Sequence, residues 1–184
     1  MNKETGKDMP DFKRRESTLA YLLRHDYKNY PFDIHAWREV RDLVENHGYT
    51  LEELDYIVAH SEKKRFSFSD DKLWVRALYG HSFEVDLELE PTMPPEFLLH
   101  GTVADKMPSI MEKGLLRMKR CYVHLSVNEN IAKEVGTRKK NGGAVVVLKI
   151  DARRLWNAGE LFWHSQNDIW LTKFVPPEYI SVQQ

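Results

Sequence analysis

The stretch Glu84–Pro95, EVDLELEPTMPP, constrains this 184-residue chain more than any other. It is acidic and then proline-rich, and proline fixes φ and removes a backbone donor, so such a segment cannot run through a helix or a central strand. It reads as a linker. The sequence differs in texture on its two sides, and two lobes, 1–90 and 91–184, each large enough to bury a core of its own, are expected.

Before the linker the pattern is mainly helical. Residues 1–15 are polar and expected to fray. Ser17 is expected to cap a short helix carrying Leu19, Leu22 and Leu23 on one face and ending in Arg24-His25. A second helix is expected over Asp33–His47, with Trp37, Val40, Leu43 and Val44 inward and Gly48 as its stop. Thr50-Leu-Glu-Glu53 is a capping box for a third helix that buries Leu51, Leu54, Ile57 and Val58. Two alternating segments, Arg65–Phe68 and Leu73–Ala77, joined by Ser69-Asp70-Asp71-Lys72, predict a β-hairpin. Three helices and a hairpin make a winged-helix pattern, which does not by itself specify a function.

After the linker come short strands and short helices. Strands are expected at Phe97–His100, Tyr122–Leu125, Glu160–His164, Ile169–Thr172 and Tyr179–Val182. Ala144–Ile150 is almost continuously aliphatic, the mark of a buried strand. Helices are expected over Lys106–Lys113, ending at Gly114, and over Asn128–Val135. The class is therefore α+β.

The 27 basic and 28 acidic residues nearly cancel, so no global field points to nucleic acid. The distribution is uneven, however: residues 1–90 carry a net charge of minus five and residues 91–184 plus four, with the cations densest from Lys113 to Lys140. That cluster is either a solvated face or a site for a polyanion. The lone Cys121 excludes a disulfide framework and a thiolate metal site. The eight histidines form no paired metal spacing, so no metal is expected. No apolar run approaches the ~18 residues of a membrane span, and the amino terminus lacks the apolar core of a signal peptide. A cytoplasmic protein, monomeric and free of membranes, is expected.

Nucleotide and nucleophile motifs are missing too. There is no G-x-G-x-x-G, no G-x-x-x-x-G-K-[ST] and no G-x-S-x-G. Chemistry, if any, falls to arginine and histidine. Arg24 and His25 stand at a helix end, Arg65 at the mouth of the hairpin and Arg120 just before the strand that leads to His124 and Ser126. Each also has a bland reading, as a helix cap or a surface ion pair. His81, His100 and His164 read more readily as structural histidines.

Seven stretches, taken in chain order, say more than any single residue. LAYLLRHD (Leu19–Asp26), KKRFSF (Lys63–Phe68), RALYGHS (Arg76–Ser82), LLHGT (Leu98–Thr102), RCYVHLS (Arg120–Ser126), VGTRKKNGGAVVVLKIDA (Val135–Ala152) and GELFWHSQNDIWLTKFVPPEYI (Gly159–Ile180) resemble the successive motifs of the RNA 2'-phosphotransferases. These are NAD-dependent enzymes that remove the splice-junction 2'-phosphate from transfer RNA. The resemblance implies a winged-helix-like RNA-binding lobe followed by an ADP-ribosyltransferase-like lobe that holds NAD. It implies that Arg24, His25, Arg65 and Arg120 form a catalytic and phosphate-binding quartet, with His25 as general acid or as another donor. It assigns His100, Gly101, Thr102, His124, Leu125 and Ser126 to the dinucleotide, with Gly136, Arg138 and Ile169 on the same side. The implied partners are an RNA bearing a 2'-phosphate and NAD as co-substrate. In RALYGHS, Leu78-Tyr79 replaces residues that are often polar in the family. Two other readings stay open at this point: an ADP-ribosyltransferase that stops at the adduct, and a non-enzymatic winged-helix RNA-binding module.

Overall fold

Residues 11–137, 143–165 and 169–183 are described by the computed structural model, and the chain divides into two compact units, Met1–Leu87 and Glu88–Gln184. Together they hold six α-helices among the described residues, with strands paired antiparallel throughout, so the protein is a mixed α and β chain.

In the first unit, helix α1 spans Phe12–Arg24 and buries Leu19, Leu22 and Leu23. It begins five residues before the expected cap at Ser17. Tertiary contacts account for the extra turn: Phe12 packs on the unit's core, Arg15 pairs with Glu53, and the Tyr49 hydroxyl donates to the Arg15 carbonyl. Strand β1 (Arg38–Glu39) and helix α2 (Val40–His47) occupy the region where one longer helix was expected. Asp33 explains the difference, because its Oδ1 accepts the N–H groups of both His35 and Trp37 and turns the chain through Ala36 at φ 58°. Such local bonds compete with a helix. Gly48, at φ 63°, ends α2 as expected.

Helix α3 (Leu51–His60) opens on Thr50, whose side chain accepts the Glu53 N–H at 3.1 Å. Leu54 and Ile57 are buried, whereas Leu51 is 59% exposed, contrary to expectation. A residue in the first turn precedes the point at which the helix meets the core. Strands β2 (Phe66–Phe68) and β3 (Trp74–Ala77) form the expected hairpin, and β1 adds to β3, giving the order β1-β3-β2. Arg38 is buried in this unit together with Asp26. Its guanidinium bonds Asp26 at 2.9 Å, Asp42 at 2.6 Å and the Leu22 carbonyl at 3.0 Å, tying α1 to α2.

The second unit is built on strands β4 (Phe97–Val103), β6 (Val123–Ser126), β7 (Val145–Asp151), β8 (Phe162–His164), β9 (Ile169–Thr172) and β11 (Ile180–Val182), in the order β11-β7-β4-β6-β9-β8. A small pair, β5 (Leu115–Leu116) and β10 (Phe174–Val175), stands apart. The aliphatic run supplies Leu148 and Ile150 to a core shared with Leu98, Val123, Leu125 and Phe162. Helices α4 (Met107–Lys113) and α5 (Glu129–Thr137) fall where the sequence puts them. Helix α6 (Ala152–Asn157) does not: Asp151 ends β7 and its carboxylate accepts the Arg154 N–H, a cap inside an otherwise strand-like stretch.

Glu84–Pro95 is packed at both ends. Asp86 N–H donates to the Ile34 carbonyl and Val85 and Leu87 are buried in the first unit, while Thr92 N–H donates to the Phe162 carbonyl in the second.

Candidate active site

In the first unit the segment Leu78–Ser82, directly after β3, gathers the candidate residues. The Leu78 N–H donates to the Arg65 carbonyl at 2.9 Å, fixing the mouth of the hairpin. The Tyr79 ring lies 4.9 Å from the Arg24 guanidinium carbon, and its hydroxyl donates to the Lys63 carbonyl. Gly80, at φ 92°, takes a backbone conformation that suits glycine, and the Arg24 side chain lies in ordinary contact with it. Ser82 N–H donates to the Arg24 carbonyl at 3.0 Å, and Ser82 Oγ lies 3.0 Å from His25 Nδ1. Arg24, His25 and Arg65 thus all border one five-residue segment, although 41 residues separate Arg24 from Arg65.

Two residues that the sequence did not single out for chemistry support this group. Glu16 on α1 holds the Arg65 guanidinium, Nη1 to Oε2 at 2.9 Å, and its other oxygen accepts the Ser61 hydroxyl at 2.6 Å. His81 is buried at 2% exposure. Burial first, then the charges of Arg24, His25 and Arg76, pushes its pKa down to about 3. It therefore stays a neutral ring beside the Arg24 and Arg76 guanidiniums. The Gly-His-Ser run after the hairpin was the available signal for His81 and Ser82. Tyr79, read as a departure from the family pattern, packs against Arg24.

The second unit carries the remaining candidates. Arg120 is exposed in the turn before β6, its N–H donating to the Arg117 carbonyl. On β6, Val123 and Leu125 enter the core while His124 is half-buried. The Leu125 side chain is thus committed to packing. His100 Nδ1 lies 2.9 Å from the His124 carbonyl and His124 Nδ1 lies 3.1 Å from the Tyr122 carbonyl. A carbonyl only accepts, so both rings donate from Nδ1, and in the neutral form both carry their lone pair on Nε2. Ser126 Oγ accepts the Asn128 N–H at 3.0 Å, opening α5, and Ile169 pairs with Ser126 in the sheet.

Gly101 and Gly136 have a structural reason to be glycine. A Cβ on Gly101 would meet the Ala132 carbonyl oxygen at 1.6 Å, and one on Gly136 would meet Val145 Cγ1 at 2.7 Å. They allow α5 to lie directly on β4. Thr102 is buried at 1% exposure in the same contact region. Arg138 lies outside the described residues. Among the described residues no group of three His, Cys, Asp or Glu side chains could hold a metal ion, and no helix is long and apolar enough to cross a membrane.

Two arginines and a histidine set around one turn segment in the first unit, and a pair of histidines with fixed Nδ1 bonds in the second, suit the handling of phosphates and ribose hydroxyls. Comparison with known proteins agrees with that chemistry. The family described as RNA 2'-phosphotransferase, Tpt1 / KptA family, matches residues 14–174. The chain is 37% identical over 187 residues to a probable RNA 2'-phosphotransferase of Flavobacterium johnsoniae, covering 98% of each protein. It is 39% identical over 168 residues to the one of Acaryochloris marina, covering 88% of this chain and 91% of the relative. With the one of Nostoc punctiforme it shares 47% identity over 131 residues, 71% of each. The chain therefore belongs to the RNA 2'-phosphotransferase family, a family of enzymes.

Proposed function

We propose that this enzyme removes an internal 2'-phosphate from RNA with NAD as co-substrate, and that Arg24, His25, Arg65 and Arg120 act on the transferred phosphate. The observation that carries the reading is the gathering of Arg24, His25 and Arg65 around Leu78–Ser82 in a chain of this family. The element order α1-β1-α2-α3-β2-β3 supports a winged-helix-like lobe that receives RNA. The antiparallel sheet of the second unit is proposed as an ADP-ribosyltransferase-like lobe.

The residues of that lobe fit a dinucleotide. His100, with its Nδ1 proton given to the His124 carbonyl, would present Nε2 to a ribose hydroxyl, while His124, whose Nε2 is buried, would shape the wall beside it. With Ser126 and Ile169 they would hold the ribose side, while Gly101, Thr102, Leu125 and Gly136 would shape the strand and helix beneath. The RNA 2'-phosphate would displace nicotinamide from the ribosyl carbon of NAD; the adjacent ribose 2''-hydroxyl would then attack that phosphorus and expel the RNA 2'-oxygen, which takes up the proton, giving 2'-hydroxyl RNA and ADP-ribose 1'',2''-cyclic phosphate.

The chain's own work is electrostatic. A phosphate is already an anion at neutral pH and needs no base to make it a nucleophile; it needs to be oriented, and the charge on its oxygens needs to be stabilised as it shifts. Guanidinium groups stay charged and grip phosphate oxygens in pairs. Arg65 is oriented for this by the Glu16 carboxylate, and Arg24 by Tyr79 and Gly80. His25 holds or moves a proton.

The test is to mix the enzyme, NAD and a short 2'-phosphorylated RNA without metal. Loss of the 2'-phosphate with formation of ADP-ribose cyclic phosphate is expected. A stable ADP-ribosylated RNA, or RNA binding without nicotinamide release, would replace this reading with a transferase that stops early or with a binding module.

A further inference from the structure

Ser82 makes three contacts at the end of α1, two to the Arg24 carbonyl and one to a ring nitrogen of His25. The Arg24 carbonyl is one of the last in α1, where no further helical N–H is available to it. Ser82 supplies two donors instead: its N–H at 3.0 Å and its hydroxyl at 3.3 Å. A carbonyl oxygen can only accept, and a serine hydroxyl has one hydrogen. With that hydrogen turned to Arg24, Ser82 Oγ presents lone pairs to His25 Nδ1 at 3.0 Å, and in this orientation Nδ1 is the donor.

Backbone geometry makes this arrangement stiff. His25 N–H donates to the Tyr21 carbonyl and closes α1, which fixes the histidine backbone. The Tyr21 ring lies 5.8 Å from the imidazole and limits its swing. On the other side Ser82 is preceded by buried His81 and by Gly80, which is packed against Arg24.

We propose that Ser82 is a positioning residue that locks His25 as the Nδ1–H tautomer, so that Nε2 is the atom through which His25 exchanges a proton with the substrate. Neutral His25 then carries its lone pair on Nε2, and protonated His25 delivers its proton from Nε2 alone, because the Nδ1 proton stays with Ser82. The role rests on the reading of His25 as a residue that meets the transferred phosphate or the ribose oxygen it leaves.

The experiment uses the full chain labelled with 15N at histidine, at a pH where the ring is neutral, with Ser82→Ala, Ser82→Thr and a His25→Gln reference to identify the His25 signals. Long-range proton–nitrogen correlation reads the tautomer directly. The expected result is Nδ1–H in the unsubstituted chain and in Ser82→Thr, and a shift toward Nε2–H in Ser82→Ala. Ser82→Ala keeps the backbone bond to Arg24, so an unchanged thermal unfolding midpoint is expected. Its single-turnover rate on 2'-phosphorylated RNA should fall roughly 10-fold or more, within the 10²–10⁴ that a positioned proton-transfer group contributes, and Ser82→Thr should restore it. An Nε2–H tautomer in the unsubstituted chain, or an unchanged tautomer in Ser82→Ala, overturns the proposal. Full activity in His25→Gln would instead overturn the role of His25, a result the tautomer measurement does not depend on.

Discussion

Glu16 and Arg65 form the ion pair that fixes the mouth of the hairpin: Nη1 lies 2.9 Å from Oε2, with both side chains largely out of solvent. A guanidinium held by one carboxylate keeps donors for a second anion. Glu16→Gln should loosen Arg65 while preserving a partner for Ser61. Stability is expected to fall by roughly 1–3 kcal/mol, the range for hydrogen bonds to charged groups, and urea unfolding measures it. An unchanged midpoint would show that the pair does not hold the fold.

Arg65→Ala and Arg120→Ala should leave nicotinamide release less impaired than completion of the reaction, so that phospho-ADP-ribosylated RNA accumulates. Charge gathers on phosphorus-bound oxygens in the second step, where the guanidinium groups matter most. Labelled 2'-phosphorylated RNA incubated with NAD and resolved on a gel reports the adduct. Equal loss of both steps in a folded variant would remove the assignment.

Gly101→Ala should be far more damaging than Gly136→Ala. The added carbon at 101 meets a backbone oxygen at 1.6 Å, which cannot move without displacing α5 from β4. At 136 the nearest atom is a valine methyl at 2.7 Å, although the Thr102 carbonyl follows at 2.9 Å. A loss of more than ~3 kcal/mol is expected at 101, beyond ordinary overpacking. Soluble yield and unfolding midpoint rank the two.

His81 sets a pH dependence of stability. Its pKa is about 3 in the folded chain against an ordinary value of 6.5. The folded ring is neutral, while the unfolded ring takes up a proton below pH 6.5, so its contribution is present above 6.5 and is lost as pH falls toward 3. The slope from this one group is about 1.4 kcal/mol per pH unit. His81→Gln removes it. Urea unfolding at pH 7, 6 and 5 should show the unsubstituted chain losing stability faster than the variant; parallel losses would mean that His81 is not the group responsible.

What the sequence determined by itself was local. The hairpin over residues 65–77, the Thr50 cap, the Gly48 and Gly114 stops and the aliphatic strand at 145–150 rest on turn chemistry and short-range periodicity, which need no partner. The ordered motifs identified the family for a similar reason: they are read along the chain. Tertiary structure decided the rest. α1 begins at Phe12 because Arg15 and Phe12 find partners on other elements, and Asp33 trades a helix for a turn that delivers Arg38 to β3. Glu16 lies in no motif, and RALYGHS contains Tyr79 and Ser82 without showing what they touch. They matter because α1 sets a carboxylate against Arg65, and the chain returns after β3 to the end of α1, bringing a ring to Arg24 and a hydroxyl to His25, all across sequence separations of about 50 residues. Only a closed fold sets those distances.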